Sequence, residues 1–325
     1  MKAALVLFVL APFIGEFLLG SLSVKELGAF PVLAAMYGGG AVLVREAARR
    51  SGRGWPTLLT LALAYAVLEE GIITVSLFNP NYAGLRLLDR GFIPSLGIAA
   101  PWTVYVLTLH VAWSLGVPIA LTEALFPERR SAPWLGWGGT GVTAALFVLG
   151  SVAVHRFQVA QFKFAASTAQ IVGAALAVAM LVAAAFLLVP RNAPPPLTGR
   201  ITPSPWLMAA ASFAAGSTFA LLKYLGPRLA LPVALEVAGM LAVAAALALL
   251  VARSARAAGW SDRHMLAVAA GGLLVYGWLG FVLVREIHGP GLGASQTVWL
   301  AIAIGVLGLA ARRLSRVALL PAPGP

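Results

Sequence analysis

The chain has 325 residues, 60% of them hydrophobic and 10% charged, with no cysteine and a formal net charge of +12. Soluble domains are about 45–50% apolar and about 25% charged, so a soluble globular protein, a disordered chain and a disulfide scaffold are excluded. What remains is an all-α polytopic membrane bundle, and the basic excess is that of topology rather than of nucleic-acid binding, because the arginines sit in short gaps between apolar runs.

About 20 apolar residues cross a bilayer. Ten segments come near that measure: residues 3–22, 27–44, 56–78, 103–126, 134–154, 171–189, 206–225, 229–252, 265–284 and 297–311. The first also fits a signal peptide, with Lys2 ahead of an apolar run and Ser21 and Ser23 behind it. Pro12 and Glu16 interrupt that run, so a retained helix is the reading adopted. In the second span Gly38-Gly39-Gly40 suits close helix contact, and Arg45, Arg49, Arg50 and Arg53 read as its cytoplasmic anchor, attractive to anionic lipid. Asn79-Pro80 ends the third span, and residues 79–101 read as an interfacial helix, a lid, or a connector lying on the lipid surface. The fourth span carries Glu123 near its inner end, which reads as interfacial.

Further on, residues 190–205 contain six prolines and two arginines and cannot be helical. The chain is read as one membrane domain, 1–325, with halves 1–189 and 207–325 joined by the Pro-rich cytoplasmic loop 190–206. An inverted five-plus-five repeat would suit such a layout, but Glu69-Glu70 and Glu236 do not superpose. Orientation comes from Lys and Arg. Lys25, Arg86, Arg90, Arg156, Lys163, Lys223, Arg228 and Arg285 fall on one side and the remaining fifteen of 23 on the other, which places both termini in the cytoplasm. Most tryptophans, Trp134 among them, fall near span ends as an interfacial belt would, whereas Trp113 and Trp278 lie deep.

Ionisable groups inside spans are costly and therefore functional candidates. Here they are Glu16, Glu69, Glu70, His110, Glu123 and Glu236. At about 1.5 Å per residue, all but Glu123 lie roughly 9–13 Å below the outer ends of their helices. Four helices thus offer carboxylates or an imidazole at one level, and a shared polar cavity would lower their cost. Glu69, Glu70 and His110 sit on consecutive antiparallel spans and are expected to meet, with Tyr65, Thr74 and Ser114 one turn away and Glu16 and Glu236 in support. A buried carboxylate of this kind can act as a general base on water, carry a proton or cation, or hold helices together.

Leu68-Glu69-Glu70-Gly71 on one span and Val106-Leu107-Thr108-Leu109-His110 on the next resemble the CAAX-protease and bacteriocin-processing (CPBP) family of intramembrane proteases, whose members carry EExxxR, FxxxH and HxxxN or HxxxD on successive helices. The resemblance covers about 45 residues. It implies that Glu69 or Glu70 activates water and that His110 assists at the scissile carbonyl. Thr74 stands at the arginine position, Val106 at the phenylalanine position, and the last motif is absent.

The expected function is a CPBP-like membrane-embedded hydrolase with Glu69, Glu70 and His110 as catalytic residues. The alternatives are a proton- or cation-coupled small-molecule transporter and a non-catalytic scaffold or accessory subunit. No cofactor is predicted, and there is no HExxH or GxxxxGK[ST]; a divalent metal bound by the Glu and His side chains stays open. The partners are the bilayer of the cell membrane and a peptide or small-molecule substrate, with no nucleic acid.

Overall fold

The structure is a computed structural model that describes residues 1–191, 195 and 197–317. Each of the ten expected spans is a helix. They are α1 (an α-helix Lys2–Pro12 continuing into a π-helical turn Phe13–Leu18), α2 (Val24–Arg50), α3 (Trp55–Ile73), α4 (Ala100–Leu125) and α5 (Trp137–Phe162). The second five are α6 (Thr168–Leu187), α7 (Pro205–Leu225), α8 (Val233–Ser254), α9 (Asp262–His288) and α10 (Gly293–Val317). Nine helices among the described residues are long and apolar enough to cross a membrane, and α1 is the shorter tenth. This is a polytopic membrane helix bundle.

Local chemistry sets the helix starts. Pro56, Pro101 and Pro205 occupy first-turn positions, where the missing N–H is no loss. Ser167 and Gln170 form a capping box at the start of α6, and the Ser204 hydroxyl accepts the Leu207 N–H at the start of α7. Helix α5 runs past its expected end and stops at Lys163, in the left-handed region at φ 52°. His155 and Gln158 therefore lie on a helix rather than in a loop. They extend the span because both find polar partners: His155 Nδ1 donates to the Ile73 carbonyl at 3.0 Å, and Gln158 Nε2 donates to the Tyr82 hydroxyl at 2.9 Å.

Helix α4 occupies the centre, in contact with α1, α3, α8, α9 and α10. Helices α6 and α8 are peripheral and turn most of their surface outward. The second five helices do not stand apart, since α9 and α10 both pack against α1 and α4. Gly38 lies against the backbone of Phe8 and Gly40 against the ring of Tyr65, so closely that a Cβ at either position would overlap its neighbour. The glycine triplet thus serves the helix contact expected of it.

One alternative is excluded, one expectation is filled in, and one is corrected. Residues 79–101 are not an interfacial helix: they form a short turn, Tyr82–Gly84, and a hairpin of β1 (Phe92–Ile93) with β2 (Ile98–Ala99). Gly84, Gly91 and Gly97, all at positive φ, break any helical run there. In the Pro-rich stretch, β3 (Leu197–Ile201) pairs in parallel with β4 (Ala257–Ala258), while residues 192–194 and 196 lie outside the described residues.

The correction concerns the arginine-rich face. Arg45, expected as an anchor of the second span, is wholly buried within the protein, and Glu123 is buried beside it. All five N–H donors of Arg45 are used, on Glu123, Glu46 and the carbonyls of Arg129, Arg130 and Ala132, at 2.7–3.2 Å. Arg49 holds Glu123 through both carboxylate oxygens at 2.8 and 2.7 Å. Trp134 covers the Arg45 guanidinium at 3.6 Å from its ring centre, and it is buried there. The network fastens the loop after α4 to the end of α2.

Candidate functional site

Among the described residues, four segments depart from α-helical to π-helical winding: Phe13–Leu18, Ala34–Gly38, Glu69–Ile73 and His110–Gly116. They lie on α1, α2, α3 and α4, and all four meet at one place. Each carries a polar side chain of the same cluster: Glu16, Tyr37, the pair Glu69 and Glu70, and His110 with Ser114. A π turn inserts one residue and re-aims the side chains beyond it, and such turns are frequent at functional sites.

The centre of the cluster is His110. Its Nε2 lies 2.6 Å from Glu70 Oε1, and because a carboxylate accepts, the ring donates there. The other nitrogen, Nδ1, is 3.0 Å from Ser114 Oγ and 3.2 Å from Glu69 Oε2. Thr74 Oγ1 donates to Glu70 Oε2 at 3.2 Å, and Ser76 Oγ donates to the same oxygen while accepting from Trp102 Nε1 at 3.3 Å. Glu70 is therefore held from several sides. Glu69 is held more loosely: it is wholly buried and meets His110 through Oε2, without a well-formed hydrogen bond to either oxygen.

Aromatic rings close the space around the imidazole. Tyr37 stacks on His110 at 5.9 Å between centroids, and Tyr65 meets it edge-on at 6.4 Å. The Tyr37 hydroxyl donates to Glu16 Oε1 at 2.6 Å, and Ser21 donates to the other oxygen of Glu16. Glu16 thus joins the cluster through Tyr37 rather than by touching His110. The backbone is strained beside it. Val75 has φ 53°, a region that a β-branched residue rarely enters, and this bend brings Ser76 back onto Glu70.

The structure brings together Glu69, Glu70, His110, Tyr65, Thr74, Ser114 and, through Tyr37, Glu16. It does not bring in Glu236. That carboxylate is buried at the start of α8 and pairs with Arg90 Nε at 2.8 Å, while Arg90 also donates to the Leu231 carbonyl. Equal depth along the helices did not make one cavity, because a nearer arginine from the loop before β1 takes Glu236. Tyr37, Ser76 and Trp102 were not expected at the site. Tyr37 reads as an ordinary aromatic of an apolar span, and Ser76 lies past the strained turn, which no composition signal announces.

Chemically, the cluster can exchange a proton between Glu69 and His110 Nδ1 while Glu70 keeps the ring oriented. Glu69, Glu70 and His110 also each offer one ligand atom within 4.8 Å of one another, the composition of a three-ligand set for a divalent cation.

Residues 5–321 match a family described as an uncharacterized membrane protein family. The chain belongs to that family. The match spans all ten helices, so α1 and α10 are part of the family's shared extent, together with every residue of the cluster. No curated protein and no solved structure matches the chain.

Proposed function

We propose that the chain is a membrane-embedded hydrolase of the cell membrane that cleaves an amide bond at the Glu69–Glu70–His110 centre, in the manner the CPBP resemblance implies. One observation carries this reading. A buried carboxylate without a well-formed hydrogen bond, Glu69, lies 3.2 Å from the Nδ1 of an imidazole that a second carboxylate already orients. That is the division of labour a general base and a general acid need. Glu69 takes a proton from water as the oxygen adds to the scissile carbonyl carbon. His110 delivers a proton to the departing amine nitrogen, and Glu70, braced by Thr74 and Ser76, positions the ring. Water is consumed, and an acid and an amine leave.

Purified protein in proteoliposomes, given a library of fluorogenic membrane-anchored peptides, is the direct test. Turnover that disappears in Glu69→Gln at unchanged folding supports the reading, and undiminished turnover in that variant overturns it. The transporter reading draws on the same free carboxylate as a cation site. It requires an aqueous route to Glu69 from both faces, so labelling of engineered cysteines from one face alone counts against it.

A further inference from the structure

Glu69 is not the only buried polar group without a well-formed hydrogen bond in this part of the molecule. The Tyr65 hydroxyl, Ser151 Oγ and Gln158 Oε1 are in the same condition. These groups are in register. Helices α3 and α5 both start at the arginine-rich face, so they run parallel. The Tyr65 ring meets the Phe147 ring at 6.1 Å, and the Ile73 carbonyl accepts from His155 at 3.0 Å. Between those two contacts each helix advances by the same eight residues. Ser151, four residues past Phe147, therefore stands level with Glu69, four residues past Tyr65. Gln158 continues the same face of α5, since positions 151, 155 and 158 have helical spacing. It reaches Tyr82, in the turn beyond α3 at the opposite face of the bundle.

We propose that this seam between α3 and α5 is a hydrated file, through which water and protons reach Glu69 from the face where α5 ends. Buried polar groups without protein partners are ordinarily satisfied by ordered water. Together with Tyr82 and His155, which each have a protein hydrogen bond, these groups mark the route from the surface turn to the base: Tyr82, Gln158, His155, Ser151 and Glu69, with the Tyr65 hydroxyl at its inner end. The use of that water as co-substrate rests on the hydrolase reading; the existence of the file does not.

The chain contains no cysteine, so single thiols can be introduced against a silent background. Ser151→Cys and Gln158→Cys are compared with Val152→Cys, the neighbouring position on the outward surface, which is 45% exposed. Thiols react as thiolates, which form in water and not in hydrocarbon, so a small membrane-impermeant methanethiosulfonate should modify both file positions about tenfold or more faster than Val152→Cys. The labelling is expected from the α5-end face alone, with Gln158→Cys the faster of the two. If Ser151→Cys fails to insert, His155→Cys takes its place at the same face of the helix. File thiols that react no faster than Val152→Cys overturn the proposal, as does labelling only from the arginine-rich face. Labelling as expected in a protein that cleaves no peptide keeps the file and discards the hydrolase. Peptide turnover without labelling does the reverse.

Discussion

Two buried charge clusters sit in this bundle, and they are built on opposite plans. At the arginine-rich face, Arg45 uses all five of its donors, Glu46 and Glu123 are paired through both oxygens, and the helices that carry them keep regular α-helical winding at those positions. Around His110 the reverse holds. Four helices are wound into π turns, Val75 is forced to positive φ, and Glu69 ends without a hydrogen bond. A buried ion network that is fully satisfied holds structure together. One that is left incomplete, beside a strained backbone, is held ready for something else.

That contrast can be broken by experiment. The largest effect is expected from Glu69→Gln, which should cut peptide turnover by about 10²–10⁴-fold, the usual worth of a general base. Its melting temperature in detergent should stay level, because the amide keeps the shape of the carboxylate and Glu70 still holds His110. A marked fall in melting temperature would place Glu69 among the structural groups. Glu123→Ala is the mirror experiment. It removes the carboxylate that Arg49 holds and one of the two that Arg45 touches, so a loss of about 3–5 kcal/mol is expected, with turnover per folded molecule unchanged. Unaltered thermal unfolding would show that the arginine-face network is not the clamp described.

Smaller changes sharpen the division inside the His110 cluster. Glu70→Gln keeps an oxygen that can accept from His110, so it should lower kcat by about tenfold, at the weak end of losses from general acid–base groups, and leave KM in place. A loss as deep as that of Glu69→Gln would exchange the two roles. Tyr37→Phe removes the hydrogen bond to Glu16 while keeping the ring on His110. It should cost about 0.5–1.5 kcal/mol of stability and little turnover, and a collapse of turnover would move Glu16 into the chemistry.

Much of this was legible in the residues alone. Apolar run length located ten helices, and the rarity of charge in hydrocarbon singled out Glu69, Glu70 and His110, because nothing else makes such residues tolerable there. Depth along a helix was a weaker guide. It grouped Glu236 with the others, whereas the angle around the helix and a loop arginine decided otherwise. The π turns left no mark in composition, and so Tyr37 and the free state of Glu69 stayed hidden. The arginine cluster misled for a related reason. A basic stretch at a span end looks the same whether it meets water or, as with Arg45, a glutamate from a helix made much later.

That last pairing has a consequence for the order of synthesis. Arg45 and Glu123 are 78 residues apart, with α3 and most of α4 between them. While the ribosome is still making those helices, Arg45 has no protein partner other than its neighbour Glu46, and the headgroup region is the one place it can wait at low cost. The clasp closes only when α4 has entered with Glu123 at the correct end and the loop after it has laid Trp134 across the guanidinium. A chain that inserted α3 or α4 the wrong way round would carry a stranded arginine. The complete network is therefore compatible only with the topology of the first four spans seen here.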